Sequence, residues 1–66
     1  MMTGAIKIVN SARGFGFIAG DDGVDYFFHR AELLGLPLEE LKAGQRVRFE
    51  THMTKRGPRA AAVSEA

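Results

Sequence analysis

Two short segments carry the side chains that could do chemistry: Arg13-Gly14-Phe15-Gly16-Phe17-Ile18 and Asp25-Tyr26-Phe27-Phe28-His29. In extended chain alternate side chains share a face, so Phe15 and Phe17 point one way and Ile18 the other, while Phe27 and His29 oppose Tyr26 and Phe28. If the two strands are neighbours, Phe15, Phe17, Tyr26, Phe27 and Phe28 cannot all turn inward, and one set forms an exposed aromatic surface. Exposed rings in a cluster mark a contact surface. Gly14 and Gly16 weaken the strand and are read as keeping the flanking rings accessible. A flat aromatic surface beside cations suits unpaired bases, because every base has a π-face and stacking contributes about 1–3 kcal/mol per base. At the upper end of that range three such contacts reach about micromolar binding before any phosphate is counted.

Other chemistries lack their residues. There is no Cys, and His29 and His52 have no companions in a zinc-ligand pattern, so neither a disulfide nor a metal site is expected. No Ser/His/Asp or Cys/His set is present, and Gly14-Phe15-Gly16 is too short, and too closely followed by a strand, to be a phosphate-binding loop. Asp21, Asp22 and Asp25 read as turn and binding-site residues, not as paired catalytic acids. The chain is therefore expected to have no catalytic residues, no cofactor and no small-molecule substrate. The net charge of +1 conceals an asymmetry: residues 42–59 hold six cations against Glu50, and the remainder holds three cations against seven acids. Such a distribution makes a basic face on a nearly neutral protein. Met1 to Lys7 contain no apolar segment long enough for a signal peptide or a membrane span, so a soluble cytoplasmic protein without a membrane partner is expected.

The elements that must position these residues are short. A chain of 66 residues makes one domain, residues 1–66, with one small core. Ile6 to Asn10, Gly16 to Ala19 and Asp25 to His29 read as three strands of a meander, separated by turns at Asn10-Ser11-Ala12 and Asp21-Asp22-Gly23. Leu33, Leu34, Leu36, Leu38 and Leu41, interrupted by Gly35 and Pro37, form a long connection in which Pro37 opens a short helical turn through Lys42. Val47, Phe49, Thr51 and Met53 then alternate with Arg46, Arg48, Glu50 and His52 as a strand with one apolar side. Lys55-Arg56-Gly57-Pro58 turns the chain into a last strand, Arg59 to Ser64. Five short antiparallel strands in so few residues are stable mainly as a small closed barrel, which leaves no edges.

The same segments carry a family resemblance. Arg13 to Ile18 resembles the first ribonucleoprotein motif of the cold-shock domain family, Lys-Gly-Phe-Gly-Phe-Ile with Arg for Lys, and Asp25 to His29 resembles its second. Further matches run ungapped through Lys7 and Asn10, Leu41, Gly44 to Val47, Arg56 to Pro58, Ala60, Ala61 and Val63. The resemblance implies an all-β five-stranded barrel of the OB type, with a short helical turn between strands 3 and 4, that binds single-stranded RNA and single-stranded DNA. It also implies work as an RNA chaperone or transcription antiterminator; a monomer is expected in preference to a homodimer. By position, Phe15, Phe17, Phe27 and His29 match the family's stacking residues. Lys7, Arg13, Asp25 and Arg56 match the polar positions around them, and Arg59 stands where the family often has Gln.

Departures shift this expectation. The family's first strand usually reads Lys-Trp-Phe-Asn where this chain has Lys7-Ile8-Val9-Asn10, Arg30 replaces a Phe, and Leu38 replaces an aromatic in the connection. With fewer rings, Arg30 and Arg59 are expected to carry part of the binding, giving a weaker and more salt-sensitive binder with a shorter site. Tyr26 and Phe28 stand where Val is usual and demand small inward partners, for which Ala5, Ala60 to Ala62 and Val9 are the candidates. The competing reading is a protein-interaction or self-associating domain, using Ile8, Val9 and Leu33 to Leu38 as an exposed aliphatic face.

Overall fold

Alternating apolar positions build five strands in the computed structural model, which describes residues 1–66: β1 (Met2–Asn10), β2 (Phe15–Gly20), β3 (Asp25–His29), β4 (Arg46–Thr54) and β5 (Gly57–Glu65). They close into a barrel in the order β1-β2-β3-β5-β4, with β4 returning to β1. All neighbours are antiparallel except β3 and β5, which meet in parallel at Phe27 and Arg59 and so close the expected OB-type barrel. The first and last strands are longer than their apolar patterns suggested, because the ladders continue through Gly4 at one end and Gly57 and Pro58 at the other.

Ile6, Ile18, Tyr26, Phe28, Val47, Phe49, Ala60 and Val63 fill the barrel, and Leu38 and Leu41 close one end. Each large apolar side chain of this kind contributes about 1.5–3 kcal/mol on burial. Phe28 is accommodated by Gly16, its cross-strand partner, where a Cβ would come within 2.7 Å of the ring and 2.5 Å of the Ile8 carbonyl oxygen. Gly16 therefore makes room on the inner face; it does not serve to expose the outer rings. Tyr26 packs on Phe49 at 5.1 Å between centroids, while its hydroxyl reaches the surface and donates to Asp22 Oδ2 at 2.6 Å.

Two bulges reset the alternation. The β1–β2 register shifts between Ile6 and Ile8, so that Lys7 and Ile8 both face out and Val9 returns to pack against the core. In β5 the extra residue falls near Ala62, which adopts a φ of 51°. Bulges of this kind bend strands and let a small barrel close.

The long connection contains two lone 3₁₀ turns, Arg30–Glu32 and Leu38–Glu40. The expected helical turn after Pro37 is present but ends at Glu40, with Leu41 already extended so that its side chain can enter the core. This connection also corrects the aliphatic-face reading. Leu38 is buried and Leu33 and Leu36 pack against the core, leaving Leu34 as the exposed leucine of the group. At the far end of β4 the expected apolar side runs out: Thr51 and Met53 are exposed because the β4–β5 hairpin extends past the core.

Candidate nucleic-acid interface

The outer surface of β2 and β3 is aromatic by register. Phe17 lies opposite Phe27 and Phe15 opposite His29, so period 2 puts all four side chains outside while Ile18, Tyr26 and Phe28 fill the core. The ring of Phe27 lies 5.6 Å from that of Phe15 and 5.7 Å from that of Phe17, and Phe15 and Phe17 meet edge to face at 6.3 Å. Each of the three is half-buried by the others, which holds the rings in place. The Arg59 guanidinium sits over Phe27, 5.4 Å from the centroid. A cation so placed is attracted by the ring face and offers a second flat surface.

His29 is fixed from one side. Its Nδ1 accepts from the Ala31 N–H at 3.1 Å, so the neutral ring carries its proton on Nε2 and can donate from there. Lys7, brought outward by the bulge, donates to Asp25 Oδ2 at 2.6 Å across one end of the aromatic surface. The remaining sequence candidates are dispersed. Arg13 lies in the β1–β2 turn, where its N–H donates to Asn10 Oδ1 and Gly14 takes a φ of 78° to complete the turn. Arg30 lies against Gly14 and pairs with Glu39 at 3.3 Å, which commits part of its guanidinium to the protein. Arg56 is at the tip of the β4–β5 hairpin, exposed.

Three ion pairs, Lys7–Asp25, Arg30–Glu39 and Arg46–Asp21, engage three of the nine Lys and Arg residues, leaving Arg13, Lys42, Arg48, Lys55, Arg56 and Arg59 without a carboxylate partner. The Arg46–Asp21 pair is bidentate, at 3.0 and 2.7 Å, and Thr3 donates to the same carboxylate. Arg46, with Thr3, holds the Asp21 carboxyl down to about 2 and is itself raised by Asp21. Asp22 is likewise lowered by the Tyr26 hydroxyl and the Val24 N–H, and it raises Tyr26 in return. Both acids tie the β2–β3 turn to the barrel and stand apart from the aromatic surface.

The registers also join residues that the alternation treated separately. Ile8 faces Phe17, Phe17 faces Phe27, Phe27 meets Arg59, and Arg59 faces His52, so one row crosses all five strands. Ile8 is 54% exposed in a position where the resemblance leads one to expect a ring. His52 reads in the sequence as a merely solvated residue with no counterpart in the family resemblance. Counting back from the two-residue turn Lys55-Arg56, which pairs Thr54 with Gly57, would have set it opposite Arg59.

A row of rings with unpartnered cations beside it can stack unpaired bases and hold phosphates. Comparison with known proteins points to nucleic acid as the kind of ligand, without bearing on the mode of binding. The family described as the 'Cold-shock' DNA-binding domain matches residues 2–66. Cold shock protein 1 of Lactiplantibacillus plantarum is 40% identical over 63 residues, covering 96% of both chains. The cold shock-like protein CspA of Vibrio cholerae is 42% identical over 64 residues, covering 96% of this chain and 91% of its own. Among solved structures, "drosophila Unr CSD456" superposes with a TM-score of 0.80 at 23% identity, over 98% of this chain and 26% of that one. That likeness speaks for the fold.

Proposed function

The chain belongs to the cold-shock domain family, a family of nucleic-acid binders, and on that premise we propose that it binds single-stranded RNA and DNA on the outer face of β1, β2 and β3. Bases stack on Phe15, Phe17, Phe27 and His29, while Arg59 stacks and attracts phosphate. Lys7 and Asp25 flank the face, and Asp25 Oδ1, which has no protein partner, accepts from base amino groups. Arg13, Arg30 and Arg56 contribute charge from the surrounding turns. By holding single strands the protein keeps RNA unstructured, which is the work of an RNA chaperone or a transcription antiterminator.

The observation that carries this reading is the outward cluster of three phenylalanines under an unpaired Arg59. Nothing in the core requires those rings outside. The test is fluorescence anisotropy with labelled pyrimidine-rich RNA and DNA oligonucleotides at two salt concentrations. Phe15→Ala and Phe17→Ala should each weaken binding by about 5- to 150-fold, the loss of one stacked base. The logarithm of affinity should fall with log salt by about 0.7 for each phosphate neutralised on a single strand. Wild-type affinity in both folded variants would remove the stacking face from consideration, and a flat salt plot would remove the cations.

A further inference from the structure

We propose that the nucleic-acid face extends onto β4, where His52 in its protonated form binds a phosphate of the strand together with Arg59. This rests on the reading of β2 and β3 as the stacking face and adds a titratable phosphate site beyond it.

The geometry comes from register. Arg59 meets Phe27 on one side and His52 on the other, and directly opposed residues on neighbouring strands project from the same face. Val47 and Phe49 point into the core, so Arg48, Glu50 and His52 point out; Ala60 is buried, so Arg59 points out with them. Two strand spacings separate Phe27 from His52, about 10 Å. That is the scale on which a nucleotide reaches from its base to a neighbouring phosphate. A base on Phe27 would therefore leave a phosphate within reach of both Arg59 and His52.

The charges around His52 favour an anion when the imidazole is protonated. Arg59 faces it from β5 and has no carboxylate partner. Lys55 and Arg56 lie just beyond, at the hairpin tip, equally unpaired. Glu50 is the acid on the same face of β4, two positions along, opposite Ala61 and not in an ion pair with either cation. Where β4 meets β1 the facing groups are Arg48 and Thr3, at the other end of the strand. His29, the other imidazole, lies on β3 next to the Phe27 position and is held through Nδ1 by the Ala31 N–H. Two cations in direct opposition repel, and a phosphate lying between Arg59 and His52 offsets that repulsion. An imidazole gains its charge between about pH 8 and pH 5. Affinity for a single strand should therefore rise as pH falls through that range.

The experiment is anisotropy of a fluorescein-labelled oligothymidylate across that pH range, at fixed and at varied salt. Wild-type affinity should increase about two- to fivefold on acidification, the effect of one exposed ionic contact. The salt dependence should also steepen by about 0.7, one added phosphate. His52→Gln should lose both responses, His52→Lys should hold the acid-side affinity at all pH values, and His29→Gln should keep the pH response on a weaker baseline. His52 is exposed, so its replacement should leave the fold intact, and circular dichroism on each variant is the check. A His52→Gln protein that retains the wild-type pH response and salt slope overturns the inference, as does a wild type with no pH response. If those results come with large losses in Phe15→Ala and Phe17→Ala, the stacking face stands and the extension alone fails.

Discussion

Phe27 and Phe28 are neighbours in sequence on opposite sides of the barrel wall, and truncating each to alanine should damage different properties. Phe28 is fully buried and its ring occupies the space left by Gly16. Removing a buried Phe side chain costs about 3–5 kcal/mol. At roughly 0.05–0.15 kcal/mol per residue, a chain of this size has about 3–10 kcal/mol of stability in total. Phe28→Ala should therefore lower the urea midpoint by about 30% or more or leave the protein unfolded, losing binding only through the loss of fold. Phe27 is half-buried, with Phe15, Phe17 and Arg59 around it. Losing those aromatic and cation contacts costs about 1–2 kcal/mol, which most such domains survive. Its binding loss should be larger, about 5- to 150-fold for one base, because Arg59 also loses its seat. Urea unfolding followed by far-ultraviolet circular dichroism, with anisotropy on the same samples, separates the two effects. A stable Phe28→Ala, or a folded Phe27→Ala with wild-type affinity, would refute the division of inner and outer faces on which the reasoning rests.

Gly16→Ala should destabilise the protein by about 3 kcal/mol, the upper end for overpacking, because its Cβ would meet the Ile8 carbonyl at 2.5 Å and the Phe28 ring at 2.7 Å; an unchanged urea midpoint would contradict it. Ala62→Gly should raise stability by about 0.5–1 kcal/mol, since relief of the left-handed backbone at a φ of 51° outweighs the added chain entropy; a lowered midpoint would show that the Ala62 methyl matters more. Asp21 contributes stability that is present above its ordinary value of 3.8 and lost as pH falls through about 2. Asp21→Asn should therefore flatten thermal stability across that acid window, and an unchanged acid profile would discount the Arg46 pair. Arg59→Gln should reduce the slope of log affinity against log salt by about 0.7 in magnitude, whereas an unchanged slope would leave Arg59 a packing residue only.

The alternation of apolar side chains was enough to read the barrel and to separate Phe15, Phe17 and Phe27 from Ile18, Tyr26 and Phe28. Period 2 is strict within an unbroken ladder, and β2 and β3 have one. It failed at the β1 bulge. Val9, read with Ile8 as part of one surface, packs against the core, because Lys7 consumes a position without a partner on β2. No residue type announces such a bulge. The leucines of the connection were misread for another reason: Leu33, Leu36 and Leu38 belong to no repeating element, so their inward direction is set by the open end of the barrel that they cover. Gly16 reads in the sequence as a device of the outer face, whereas its constraint comes from Phe28, a long-range partner that only the β2–β3 register identifies. The Asp21–Arg46–Thr3 cluster likewise joins positions from three separate parts of the chain, with no local signal.

The β1 bulge also bears on how strongly the proposed face would bind. By turning both Lys7 and Ile8 outward, it places an aliphatic side chain next to Phe17 and a cation within reach of Asp25. Ile8 can exclude water from a base edge but has no π-face, so the row begins with a weaker contact than a ring would supply. The other end of the row is richer: Arg59 lies over Phe27, and the hairpin beyond it carries Lys55 and Arg56 with no acid paired to either. The attraction is thus graded across the barrel, apolar on β1, aromatic on β2 and β3, and cationic on β5 and β4. A strand lying along that row would stack at its centre and be held by charge at one end. Lowering the salt concentration should accordingly raise affinity through the cationic end, because that end depends on ionic strength and the aromatic centre does not.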